Sequence, residues 1–291
     1  MASEAKKSRV PFEASMRFSE EKEKPINGDG RPEIHDFEPI LQARNLTHLY
    51  GGRVGCQDVD VEVMPGEVLA VVGESGSGKS TLLRCLCGLQ VPTKGQVLYR
   101  HHQEWLDLYQ IDNSLRRRLL RTAIGVVFQN PQEGLRMHVS AGGNISERLL
   151  AEGERRYSQL RRTACWWMER VELDVDRVDD PPGTYSGGML QRLQIAKNLA
   201  SNPRIVFLDE PTSGLDVSVQ ARFLDVMRRL VRELKLSVVM VTHDLAVARV
   251  LAHRLMVMVR GQVVEQGLMD RILDDPQHPY TQLLVASRLT A

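Results

Sequence analysis

Nine consecutive residues constrain this chain more than any other part of it: Gly73-Glu74-Ser75-Gly76-Ser77-Gly78-Lys79-Ser80-Thr81, placed directly after the apolar run Val-Leu-Ala-Val-Val at 68–72. The segment fits G-x-x-x-x-G-K-[ST], and its surroundings supply the order strand, loop, helix that this pattern needs. Three glycines permit a backbone that side chains would forbid. Consecutive N–H groups can then turn inward around an anion while the following helix aims its positive N-terminus at it. Lys79 is expected to reach the β- and γ-phosphates of a nucleotide, and the Ser80 hydroxyl suits Mg²⁺, a hard cation that takes oxygen ligands and keeps several waters.

Such a loop has to be carried by a sheet. From Ile40 onward short apolar runs alternate with helical stretches, and the strongest runs, at 68–72, 124–128, 205–208, 238–241 and 255–259, read as buried strands. Helical periodicity over 79–89, 217–234 and 245–252 follows several of them, so the class is α/β with repeated strand-helix units. Between Pro131 and Pro182 the strand signal vanishes and 140–150 and 157–171 read as helices, which predicts an inserted helical lobe. Residues 1–38, rich in Lys, Glu, Ser, Pro and Gly, are expected to form a disordered tail. The domain at 39–291 then divides into a core at about 39–130 and 190–266, a helical part at about 131–189 and a C-terminal extension at about 267–291.

Bulk composition is less decisive. A formal net charge of +1 gives no pull toward nucleic acid or anionic lipid, and the cluster Arg116, Arg117, Arg118 and Arg121 reads as a solvated helix face, so no nucleic-acid partner is expected. No apolar run approaches the roughly 20 residues that cross a bilayer. The charged N-terminus (Glu4, Lys6, Lys7, Arg9) lacks a secretory core, which places the protein in the cytoplasm. Cys56, Cys85, Cys87 and Cys165 are then reduced thiols that pack in the core. Of the adjacent Trp166 and Trp167, at most one can point fully inward on a helix.

A second acidic element supports the first. Arg204-Ile205-Val206-Phe207-Leu208-Asp209-Glu210 reads as a buried strand ending in two carboxylates, and strand ends are where α/β sheets place ligands. Asp209 is expected in the Mg²⁺ shell, with Glu210 orienting and deprotonating an attacking water. Shortly before it, Tyr185-Ser186-Gly187-Gly188-Met189-Leu190-Gln191-Arg192 opens a strong helical stretch and forms another Gly-rich helix N-terminus able to face an anion.

This last segment resembles the signature loop of ATP-binding cassette proteins, with Tyr185 and Met189 departing from the commonest wording outside the Ser-Gly-Gly centre. The resemblance covers roughly residue 40 to the C-terminus. It implies an α/β P-loop NTPase of the cassette type, with a RecA-like mixed-sheet core and an inserted helical subdomain, that binds ATP with Mg²⁺ and hydrolyses it. It further implies a head-to-tail dimer in which ATP lies between the loop 73–81 of one subunit and Ser186, Gly187 and Gly188 of the other. Carried over singly, Tyr50 resembles the aromatic that stacks on adenine, and Gln129 the glutamine that meets Mg²⁺ and the attacking water. His243 resembles the switch histidine at the γ-phosphate, and Ser213-Gly214-Leu215-Asp216 the loop that crosses the dimer interface.

Within the family, the tail Asp275-Pro276-Gln277-His278-Pro279-Tyr280-Thr281-Gln282-Leu283-Leu284 resembles peptide and nickel importer ATPases. The segment Gly134 to Leu150, together with 178–182, 216–222 and 267–271, resembles instead the PhnK-type ATP-binding proteins of the bacterial carbon-phosphorus lyase system. That resemblance implies docking on soluble lyase core subunits, with Gly134 to Leu150 as part of the docking surface and Arg136 and Arg148 as candidate contacts. An importer subunit, or a nucleotide-gated assembly module with little turnover, are the alternatives.

Overall fold

The computed structural model describes residues 38–102 and 104–289, so the tail expected at 1–38 lies outside the described residues apart from Glu38. The chain first makes β1 (Leu41–Tyr50), β2 (Arg53–Val63), β3 (Val68–Val72), α1 (Lys79–Leu86), β4 (Lys94–His101), β5 (Glu104–Asp107), α2 (Asn113–Thr122) and β6 (Ile124–Val127). Helices follow: α3 (Pro131–Gly134), α4 (Ala141–Glu152), α5 (Tyr157–Arg170) and α6 (Gly187–Leu199). The chain then returns through β7 (Ile205–Asp209), α7 (Val217–Leu234), β8 (Ser237–Thr242), α8 (Leu245–Leu251), β9 (Arg254–Val259), β10 (Gln262–Leu268), α9 (Met269–Asp274) and α10 (Pro279–Leu289). No helix among the described residues is long and apolar enough to cross a membrane.

Every apolar run expected as a strand is one, and these five, joined by β10, which was not expected, form a six-stranded sheet in the order β10-β9-β3-β8-β7-β6. All neighbours in it are parallel except β9 and β10. Side-chain alternation sends Val68, Ala70 and Val72 of β3 into one core cluster and Leu69 and Val71 into another. A strand buried on both faces reads as a continuous apolar run for this reason. The first cluster joins the sheet to the helices between β6 and β9 and includes Trp167 of the tryptophan pair. Trp166 instead lies under the Arg170 guanidinium, 4.5 Å from its ring centre.

The second cluster is enclosed by an antiparallel sheet, order β2-β1-β4-β5, that the search for apolar runs did not predict. Its strands bury one face only. In β2, Cys56, Val59, Val61 and Val63 are buried while Asp58, Asp60 and Glu62 are exposed, so apolar residues stand singly. Helix α1, with Leu82, Leu83, Cys85 and Leu86, also packs in this cluster. It stops three residues before the expected end at 89, because Gly88 adopts a left-handed φ of 85°. Cys56, Cys85 and Cys87 are buried as expected, and Cys165 is half-buried.

Strand β6 lies at the sheet edge, where half of its backbone groups have no neighbouring strand. Three side chains of α6, spaced so that they share one helix face, supply what is missing. Asn198 Oδ1 accepts from Val126 N–H (2.9 Å) and its Nδ2 donates to Val126 O (2.8 Å). Gln194 repeats the pair on Phe128, at 3.1 Å in both directions, and Gln191 Nε2 donates to Gln129 O (3.0 Å). The helix that begins at the signature segment is thereby bonded along the strand that ends at Gln129. It runs unbroken across the boundary expected near residue 190, capped by Ser186.

Arg148 of α4 completes this edge and corrects its expected place on a docking surface. Its side chain is buried, donating from Nη2 to Ile124 O (3.0 Å) and Thr122 O (3.2 Å), from Nη1 to Asn198 Oδ1 (3.1 Å) and Leu120 O (3.3 Å), and from Nε to Ser201 Oγ (2.8 Å). Burial pulls its pKa down to about 10, so the group stays charged at neutral pH. Spacing along an amphipathic helix could not show that the facing groove holds five oxygens. Replacing Arg148 by Ala takes a donor from each of these oxygens and leaves the edge carbonyl of Ile124 without its partner, and a loss of about 3 kcal/mol or more is expected in urea unfolding. A loss below about 1 kcal/mol would contradict a structural role, since that is the range of an exposed ion pair.

Candidate functional site

Strands β3, β6, β7 and β8 run parallel, so the segments following them emerge at one edge of the sheet. That edge collects the loop 73–81 after β3, Gln129 after β6, Asp209 and Glu210 at β7, and His243 after β8. It is where an α/β sheet with helix N-termini at its strand ends receives a ligand.

The loop is held by its neighbours' backbones. Gly78 has φ 101°, and a Cβ there would lie 1.9 Å from Gly55 O on β2. At Gly73 a Cβ would lie 2.2 Å from Met258 O on β9. Gly261 N–H donates to Ser77 O (2.8 Å), pinning the loop's centre to the β9–β10 turn. Lys79 curls back so that Nζ donates to Gly73 O (2.8 Å) and Glu74 O (2.7 Å). Burial pulls its pKa below the ordinary lysine range, while Glu210, Asp209 and Glu74 favour the charged form. The buried Ser77 hydroxyl has no hydrogen-bond partner among the described residues.

Beside the loop, Ser80 Oγ donates to Asp209 Oδ1 (2.8 Å). Burial pushes the Asp209 carboxyl up, and the Ser80 bond and Arg84 oppose that push. A hydroxyl and a carboxylate side by side form an oxygen donor set that fits Mg²⁺. Glu210 takes a left-handed φ of 43°, with its N–H on Val241 O (2.9 Å) and Oε2 2.7 Å from His243 Nδ1. Gln129 Nε2 donates to Ser213 Oγ (3.3 Å), linking the end of β6 to the segment 213–216.

These groups meet in a cleft of about 670 Å³ lined by Tyr50, Ser75, Gly76, Gly78, Lys79, Ser80, Thr81, Gln129, Glu210 and His243. Tyr50 stands at its mouth, half exposed, its hydroxyl donating to Gln90 Oε1 (3.0 Å) and its ring edge-on to His48 at 4.6 Å. Three lining residues that sequence reasoning missed, Arg53, Val54 and Gly55, open β2 just after the β1–β2 turn. The Gly51-Gly52 pair before them was the available signal of a hairpin. Ser186, Gly187 and Gly188 are not among the residues lining this cleft. Ser186 caps α6 by accepting from Met189 N–H (3.4 Å), Ser186 and Gly187 are exposed, and a Cβ on Gly188 would lie 2.3 Å from Val219. The chain thus carries two Gly-rich helix N-termini suited to anions but gathers only one into its cleft.

Comparison with known proteins accords with this geometry. The family model described as ABC transporter matches residues 56–213. The phosphonates utilization ATP-binding protein PhnK of Escherichia coli K12 is 59% identical over 252 residues, 87% of this chain and 98% of its own. The dipeptide transport ATP-binding protein DppF of the same organism is 39% identical over 86% of this chain and 76% of its own. Among solved structures, the dimeric bacterial ABC transporter cassette MJ0796 has a TM-score of 0.72 at 30% identity, covering 79% of this chain and 98% of its own. Its dimer in a post-hydrolysis state bound to ADP and Pi gives 0.71 at 29% identity. Alike in sequence to relatives over nearly their whole length, and in fold to cassettes solved as dimers, the chain belongs to the ATP-binding cassette family and is an ATP-binding, ATP-hydrolysing member of it.

Proposed function

We propose that this chain is the cytoplasmic ATPase subunit of a phosphonate-degrading carbon-phosphorus lyase complex, acting as a head-to-tail dimer. The observation that carries the reading is the 59% identity across 98% of the phosphonates utilization relative, against 39% for the dipeptide transport relative.

In this reading the loop 73–81 cradles the triphosphate with its N–H groups, and Lys79, held by the carbonyls of Gly73 and Glu74, neutralises the β- and γ-phosphates. Ser80 and Asp209, with Gln129 nearby, hold Mg²⁺, which when bound neutralises charge on the phosphate oxygens. Tyr50 offers its ring to adenine. Water attacks the γ-phosphorus as its bond to the bridging oxygen breaks, and the water's proton passes to Glu210. His243, 2.7 Å from Glu210, orients that carboxylate and faces the γ-phosphate. The second anion-binding end, at Ser186, Gly187 and Gly188, serves the ATP of the opposite subunit, which supports two nucleotides in one symmetric interface.

Docking on the soluble lyase core is assigned to the groove of about 330 Å³ on the helical part, between Arg136, Glu147, Leu150, Tyr157, Arg161 and Asp179. Arg136 is two-thirds exposed and pairs with Glu147 at 2.8 Å. Such a surface pair adds little to stability, so it is free to serve recognition. The core at 39–130 and 190–266 is then the part that binds nucleotide, the helical part at 131–189 the part that meets the partner.

Lys79→Ala is expected to abolish tight ATP binding by calorimetry, because it removes the side-chain cation from the phosphate cradle. Glu210→Gln keeps the shape but cannot accept the proton. Turnover should fall by about 10²-fold or more with ATP binding retained, and light scattering should show an ATP-dependent dimer. Adding Ser186→Glu to that background places like charge against the γ-phosphate across the interface. The dimer should then disappear while each monomer still binds one ATP, and a persisting dimer would refute the head-to-tail arrangement. Tagged protein should recover lyase core subunits by mass spectrometry, with Arg136→Glu weakening recovery but not ATP affinity. Recovery of a membrane permease in their place hands the chain to the importer reading.

A further inference from the structure

The most distant contact made by the phosphate loop comes from the C-terminal segment. Glu74 N–H donates to the Tyr280 hydroxyl at 3.0 Å, across 206 positions of sequence. That N–H belongs to the same peptide unit as Gly73 C=O, and it is Gly73 O that accepts from Lys79 Nζ at 2.8 Å. A peptide unit is planar, and in the trans form its oxygen and hydrogen point to opposite sides. Tyr280 and Lys79 therefore hold opposite ends of one rigid plane at the start of the loop, and the orientation of that plane sets where the Lys79 ammonium rests.

The tyrosine is itself firmly seated. Glu265 on β10 accepts from Gln277 N–H (2.8 Å) and His278 N–H (3.0 Å), so its carboxylate anchors the entry to α10. Tyr280 N lies 3.2 Å from His278 Nδ1 in the first turn of that helix. The same β10 is preceded by the turn whose Gly261 N–H holds Ser77 O. The β9–β10 hairpin thus braces the loop twice, at its middle through the turn and at its beginning through β10 and α10.

We propose that Tyr280 is a positioning residue for ATP: by fixing the Gly73–Glu74 peptide it presets the loop and its lysine for the triphosphate. The inference rests on the reading of 73–81 as the ATP phosphate site. Removing the hydroxyl leaves α10 and its seat in place, so the fold has no reason to weaken, while the loop must now order its first peptide as nucleotide binds. The loss falls on affinity, and the chemical step, governed by groups at the ends of β7 and β8, is spared.

Tyr280→Phe is expected to raise the Kd for ATP, by calorimetry, and the KM roughly three- to tenfold, the effect of one neutral hydrogen bond. Its kcat should stay within about twofold and its nucleotide-free melting temperature unchanged. Glu265→Gln, which weakens the seat without touching the loop, should move KM in the same direction by less. A wild-type Kd in Tyr280→Phe, with binding lost in Lys79→Ala, overturns the proposal. So does a fall in the nucleotide-free melting temperature with kcat and KM both changed, which marks a merely structural tyrosine. Wild-type ATP binding in Lys79→Ala sinks the underlying phosphate-site reading, and the proposal with it.

Discussion

Two backbone carbonyls decide where the phosphate loop can lie. Gly55 O on β2 and Met258 O on β9 leave no room for a Cβ at Gly78 or Gly73, at 1.9 and 2.2 Å respectively. Neither carbonyl can withdraw without disturbing its own strand, since Gly55 lies between Val54 and Cys56, which pair with β1, and Met258 pairs with Val263 of β10. The loop is therefore set between the two sheets, and α1, which follows it, enters the space they enclose. Leu82, Leu83 and Leu86 fill that space, and a fully buried leucine is worth about 1.5–3 kcal/mol relative to exposure. Loop geometry and core packing are in this sense one constraint.

The opposite edge of the sheet solves a different problem. Edge strand β6 would leave the backbone of Val126 and Phe128 open, and an open edge invites association with another strand. Asn198 and Gln194 close it with paired amide bonds, and Arg148 takes the remaining Ile124 carbonyl. Because those amides belong to the helix capped by Ser186, the signature end cannot shift without disturbing the strand that positions Gln129. Buried, fully paired networks of this kind carry a high penalty for any one broken member. The cleft and the surface assigned to the opposite subunit are thus joined by hydrogen bonds within a single chain.

What could be read along the chain was local chemistry. The loop 73–81, the strand ending at Asp209 and Glu210, and Gln129 and His243 each follow an apolar run that is buried on both faces of the sheet, and such runs are conspicuous. The antiparallel sheet was not conspicuous, because in β2 apolar and acidic residues alternate. Arg148 shows the limit most clearly: a charged residue near the middle of an amphipathic helix reads as surface, and only the position of Ser201, Asn198 and three carbonyls makes it interior. Arg53 and Tyr280 were missed for a related reason, since neither lies within a phosphate motif and each reaches the cleft or the loop from another part of the fold.

The sequence by itself determined the class of the protein. A Gly-rich loop after a strand, an acidic pair at a second strand end and a second Gly-rich helix start are written in contiguous residues, and their chemistry does not depend on what surrounds them. Tertiary structure alone decided which backbone groups stay open and which distant side chains close them. The amides of α6 on β6 and the guanidinium of Arg148 on Ile124 answer backbone groups that strand order leaves unpaired, while the hydroxyl of Tyr280 reaches a loop N–H from 206 positions away. Strand order is a property of the folded sheet, and no window of sequence contains it.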